Sequence, residues 1–133
     1  MTGGRDDFDY RLKLAKATEF LEVAEVALAF ERYDAAVSLA VSAGVNFADA
    51  HCLKTIGRYH NGQDHEGALV LLQKSGLTGV SIGRHLKRIL SVKNKAQYAS
   101  VRCTRTDAEQ CLKRASRIQD LILEYLVPDE SEK

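Results

Sequence analysis

The 133-residue chain contains a single proline, Pro128, close to its C-terminal end. Residues 1 to 127 are therefore free of the one side chain that removes a backbone donor and clashes with the preceding helical turn. Helices can run unbroken through that stretch, and the apolar residues recur at helical spacing. From Asp7 to about Glu31, Tyr10, Leu14, Ala17, Leu21, Ala24 and Leu28 follow at steps of three and four, with Phe20, Val23, Ala27 and Phe30 widening the stripe. A second helix is expected to begin near Asp34, with that residue as its N-cap. Its polar residues Ser38, Ser42, Asn46 and Asp49 share one narrow face, while Ala36, Ala40, Ala43 and Gly44 let neighbours approach closely. This helix is expected to be the most buried element, with Ala43, Phe47 and Ala50 in the core.

Three further helices are expected. One runs from His65 to about Lys74, one from Val80 to about Tyr98 with a break near Ser91, and one from Thr106 to about Val127. Thr106 with Glu109 has the spacing of a capping box. Glycines mark the joints, Gly57 and Gly62 at one and Gly76, Gly79 and Gly83 at the next. No segment alternates as a strand does. The fold class is all-α, an up-and-down helical bundle of four to five helices, with one domain over 7–127, a disordered start over 1–6 and an acidic tail over 128–133.

With 45% apolar and 28% charged residues, the chain has a globular balance and enough length to bury a core without disulfides or metal. No uninterrupted apolar run approaches ~18 residues, so no membrane span is expected. The first residues lack the apolar stretch of a signal peptide. Cys52, Cys103 and Cys111 are odd in number and form no C-x-x-C pair, which points to a reducing compartment. The expected location is cytoplasmic.

The order of parts resembles the HEPN domain. A long first helix is followed by Tyr33-Asp34-Ala35-Ala36, opening a helix that runs through Ala43-Gly44 to Ala48-Asp49-Ala50. Asp64-His65 then starts a leucine-bearing helix, Lys93-x-Lys-Ala-x-Tyr98 follows, and a closing helix ends the domain, so that the resemblance covers roughly 8–126. It implies an up-and-down bundle, often a homodimer, and frequently paired with a nucleotidyltransferase-like partner protein. It also implies one of two behaviours, since some HEPN proteins are metal-independent ribonucleases and others are catalytically silent. Neither needs a cofactor.

The ribonuclease type carries an Arg followed a few residues later by a His. His can move a proton to or from the ribose hydroxyl or the leaving oxygen, and Arg can hold the phosphate and its developing charge. Arg58 and His65, with six residues between them in "RYHNGQDH", match that bare pattern. In the resembling family the motif sits later, where this chain has Lys93 in place of Arg and Tyr98 in place of His. Tyr, with an ordinary pKa near ~10, is a poor proton shuttle at neutral pH. The motif is therefore degenerate, and the expected function is non-catalytic binding of nucleotide, RNA or a partner protein. The alternative is a metal-independent endoribonuclease of toxin–antitoxin or phage-defence type, using Arg58 and His65. The loop also has a plain structural explanation: Asn61-Gly62 closes the second helix and Asp64 caps the third. His51, Cys52, His60 and His65 lack the paired short spacings of a zinc site, so no metal is expected.

Charge adds a separate signal. Net charge is only +1, yet basic residues crowd between Arg84 and Arg117. Arg84, Lys87 and Arg88 share one helix face, Lys113, Arg114 and Arg117 share another, and Lys93 lies between. Arg84, Lys87, Arg88 and Lys93 are the expected phosphate-binding residues, the alternative being a solvated face or one that meets the acidic helix of a second subunit.

Overall fold

The computed structural model describes residues 3–60 and 65–126, with side chains from Asp9 onward apart from Gln97 and Tyr98. Those residues form five helices: α1 (Gly3–Ala29), α2 (Tyr33–Ile56), α3 (Glu66–Gln73), α4 (Gly76–Ala99) and α5 (Arg105–Leu126). No strand occurs among the described residues, and the all-α bundle is as expected. Helix α2 is central, packing against each of the other four.

The burial of α2 follows from its composition. Ala43, Phe47 and Ala50 are fully buried, and around them Leu72 of α3, Leu86 and Ile89 of α4, and Ile118 and Ile122 of α5 close the core. A Cβ at Gly44 would lie 3.2 Å from Leu86 Cδ1 and 3.4 Å from Ile89 Cδ1, so the missing side chain lets α4 seat directly on the α2 backbone. By length and hydropathy α2 would suit a membrane, but 72% of its most apolar window is buried within the bundle, as in a core helix.

Helix α1 starts at Gly3, ahead of the expected Asp7, and ends in a Schellman motif. Arg32 N donates to Ala27 O at 2.8 Å and Glu31 N to Leu28 O at 2.9 Å. Glu31 takes the left-handed conformation there, with φ 60°, a position that usually holds glycine. Its carboxylate is tied to α5, accepting from Arg105 Nη2 at 3.1 Å.

Several local expectations are corrected. Asp34 does not cap α2, whose N-cap position is Arg32; its carboxylate reaches the α4–α5 connection instead, accepting from Cys103 N at 2.7 Å and Arg102 Nε at 3.2 Å. The capping box of α5 is Thr104 with Asp107, two residues earlier than the expected Thr106 with Glu109: Asp107 N donates to Thr104 Oγ1 at 3.1 Å and Thr104 N to Asp107 Oδ2 at 2.9 Å. Helix α4 begins at Gly76 rather than Val80 and continues through Ser91 without a break. Gly79 and Gly83 therefore lie inside α4 instead of marking its start. Gly79 is needed for close approach, since a Cβ there would collide with Ser75 Oγ and the Leu72 carbonyl at the α3–α4 corner. Helix α3 spans Glu66–Gln73, slightly shorter than expected. Helix α2 is not closed by Asn61-Gly62 but ends at Ile56 with Gly57 as its left-handed C-cap (φ 73°), and the N-cap position of α3 is His65 rather than Asp64. Asn61, Gly62, Asp64 and the acidic tail themselves lie outside the described residues.

Candidate nucleic-acid interface

The periodicity of α4 places Arg84, Lys87 and Arg88 on its solvent face, and that of α5 does the same for Lys113, Arg114 and Arg117. Five of the six are exposed and Arg114 is half-buried. Among the described residues none of the six has an ion-pair partner. Arg88 and Arg114 line a shallow cleft of about 240 Å³ along the α4–α5 seam, with Ser91 and Gln110 beside them.

One interaction crosses that seam. Arg114 Nη1 lies 3.2 Å from His85 Nδ1. Guanidinium can only donate, so His85 accepts through Nδ1 and carries its proton on Nε2. Partial burial pushes the His85 pKa down, and the charges of Arg114 and Arg117 push it further. A neutral imidazole thus holds one arginine in place without neutralising it. The sequence analysis did not single out His85; its spacing of three residues from Arg88, on the same helix, was the signal available there.

Lys93 stands apart from the other three candidates. It lines a wider cleft of about 480 Å³ between α2 and the α4–α5 connection, together with Ser38, Ser42, His65 and Arg102 over a floor of Val37, Val41 and Ala96. Arg102 is not free there, being paired with Asp34. Arg84 and Lys87 border a third cleft, shared with Glu66 and Gln73 of α3.

His65 also borders a small polar cavity of about 150 Å³ with Lys13, Asp49, Tyr59 and His60. Lys13 Nζ lies 3.5 Å from Asp49 Oδ2 and 4.3 Å from the Tyr59 ring centre. Burial pushes the Asp49 carboxyl up to about 6 despite that ammonium. The His60 ring sits on Gly67, where any Cβ would overlap it, and its Nε2 is buried without a hydrogen-bond partner among the described residues. Among the described residues no three His, Cys, Asp or Glu side chains gather into a metal-holding group.

The family model described as HEPN domain matches residues 10–125. The chain belongs to the HEPN family. No curated protein and no solved structure matches it.

Within this HEPN domain the two versions of the Arg/His motif fall in different places. Arg58 is exposed and borders neither of the two cavities that His65 borders. The degenerate version lies in the last turns of α4: Lys93 faces the wide cleft, while the side chain of Tyr98 lies outside the described residues.

Proposed function

We propose that this HEPN domain binds the phosphate backbone of RNA, or of a nucleotide, across the α4–α5 seam and does not cleave it. The observation that carries this reading is the set of six cations on adjacent helices with no ion-pair partner among the described residues, one of them held by a neutral histidine. Unpaired cations repel one another, and an arriving polyanion relieves that repulsion while releasing its own counterions. Apart from the half-buried His85 ring, the described residues of the ridge offer no aromatic side chain for bases to stack on, which favours contact with the backbone over sequence readout. The absence of cleavage is supported by the cleft around His65. Its nearby arginine, Arg102, is engaged by Asp34, and the exposed Arg58 of the alternative motif lines neither this cleft nor the small cavity on the other side of His65.

Fluorescence anisotropy of a labelled single-stranded RNA, with chelator present, tests both halves. Affinity is expected to fall with salt at a log–log slope of about −3 to −4, as four to six phosphate contacts on a single strand would give. Replacing Arg88 and Arg114 by alanine is expected to lower that slope by about 1.4. The RNA is expected to remain full-length on a gel. Salt-independent binding, or none at low salt, would refute the interface. Cleavage that disappears in Arg58→Ala or His65→Ala would instead establish the ribonuclease alternative.

A further inference from the structure

The end of α5 returns the chain to the corner where α3 turns into α4. Tyr125, one residue before the end of α5, packs edge-on against the His51 ring, with the ring centres 5.1 Å apart. His51 in turn is hydrogen-bonded to the backbone of Ser75, the residue that precedes α4. The same corner presents Leu77, 89% exposed, and from it α4 carries the exposed Arg84, Lys87 and Arg88 along the ridge. With a rise of about 1.5 Å per residue, these three cations lie about 12 to about 18 Å along α4 from Gly76. By the same measure Arg117 lies about 14 Å back along α5 from Leu126.

Beyond Leu126 the sequence continues with Val127, Pro128, Asp129, Glu130, Ser131 and Glu132. Proline has no backbone N–H with which to extend the hydrogen-bond ladder of a helix. Asp129 stands three residues past Leu126 and Glu132 six, so at about 3.3 Å per residue their reach is from about 10 to about 20 Å. The reach of the carboxylates thus coincides with the distances at which the cations stand.

We infer that Asp129, Glu130 and Glu132 bind the basic ridge of their own chain and compete there with RNA for Arg84, Lys87, Arg88 and Arg117. The inference rests on the α4–α5 ridge being the anion-binding surface. Charge complementarity supports it, since none of these four cations has an ion-pair partner among the described residues. The order of chemistry agrees as well: Val127 and Pro128 come before the carboxylates, just as the exposed Leu77 comes before the cations along α4. Single surface ion pairs are weak, but a tethered segment acts at high effective concentration and can hold the ridge for much of the time. Three carboxylates cannot neutralise all the cations of the ridge, so a longer polyanion displaces the segment instead of being shut out. Helix α1 carries a comparable acidic run, Glu19, Glu22 and Glu25, but it packs on α2 and α5 and does not touch α4 among the described residues. It supplies a control for net charge alone.

Two measurements on the full chain test this, the first without RNA. The three native cysteines are buried, so a nitroxide reagent is directed to an introduced Ser131→Cys. The label is expected to reduce the backbone amide signals of Arg84, Lys87 and Arg117 to below about half intensity at ~20 mM salt and to release them at ~500 mM. The second is the anisotropy titration of labelled single-stranded RNA. Combining Asp129→Asn, Glu130→Gln and Glu132→Gln is expected to tighten binding about threefold to tenfold at ~20 mM salt, an advantage that shrinks as salt rises. Combining Glu19→Gln, Glu22→Gln and Glu25→Gln changes net charge equally and is expected to alter affinity less than about twofold. Unbroadened amides at low salt, or broadening that persists at ~500 mM, overturn the inference. So does salt-dependent RNA binding that is indifferent to Asp129, Glu130 and Glu132, or that gains as much from the α1 control. If no variant binds RNA at low salt while the three amides are still broadened, the RNA reading fails and docking of the acidic segment is upheld.

Discussion

Replacing Asp49 by asparagine is expected to make the protein more stable at neutral pH. The residue is 5% exposed, on the central helix, and burial raises its pKa from an ordinary 3.8 to about 6. Lys13 at 3.5 Å and the charge of His60 act in the opposite direction and only partly offset that burial. A carboxyl whose pKa rises on folding binds protons more tightly in the native state. Its contribution is therefore favourable below about pH 4, falls as pH climbs from about 4 to about 6, and is constant above. The two values lie about two pH units apart, and at ~1.4 kcal/mol per unit the ionised group costs the fold about 3 kcal/mol at pH 7.5. Asparagine keeps the shape and removes the charge. Lys13 then loses its partner, but that attraction is already contained in the net shift, and its side chain, 22% exposed, still covers the Tyr59 ring. The expected result is a gain of about 3 kcal/mol for Asp49→Asn in urea unfolding at pH 7.5, closing to within about 1 kcal/mol near pH 4. If the variant is less stable than wild type at pH 7.5, or the gap does not change with pH, then the Lys13 contact outweighs burial and the reasoning fails.

Three other outcomes are open to direct measurement. Phe47→Ala, at a fully buried position on α2, is expected to cost ~3 to 5 kcal/mol in chemical unfolding. Asp34→Ala is expected to cost about 1 kcal/mol, from the bond to Cys103 N, with little from the exposed Arg102 pair. The Asp34 pKa is held down chiefly by the Cys103 backbone, so that contribution is present above the unfolded carboxylate pKa and fades as pH falls through the native one, which thermal melts across acid pH would follow. Burial pushes the Cys52 and Cys111 thiols up to about 12 and Cys103 up to about 11, so a thiol reagent at pH 8 is expected to label the native protein slowly and all three cysteines once it is unfolded.

The helical class and the central place of α2 were legible in the sequence, because a proline-free stretch and apolar spacing are local properties that hold whatever the helices pack against. Where local signals compete, the sequence alone left the outcome open. Thr104 with Asp107 and Thr106 with Glu109 offer the same capping chemistry two residues apart. The first is used because Asp34, remote in sequence, pins Cys103 and so fixes where the chain can turn into α5. Asp34 is itself a good N-cap by type, but its carboxylate forms a bond to the neighbouring segment instead. Gly79 and Gly83 read as joints, yet they lie inside α4 because α3 packs closely at that corner. The candidate site divides in the same way. The basic residues and their helix faces are visible as spacing, whereas the crossing of α4 and α5 alone decides that Arg88 and Arg114 share a cleft and that His85 supports one of them. Lys93 is part of the same basic run but faces a different cleft, since five residues along a helix from Arg88 turn it well away from the seam.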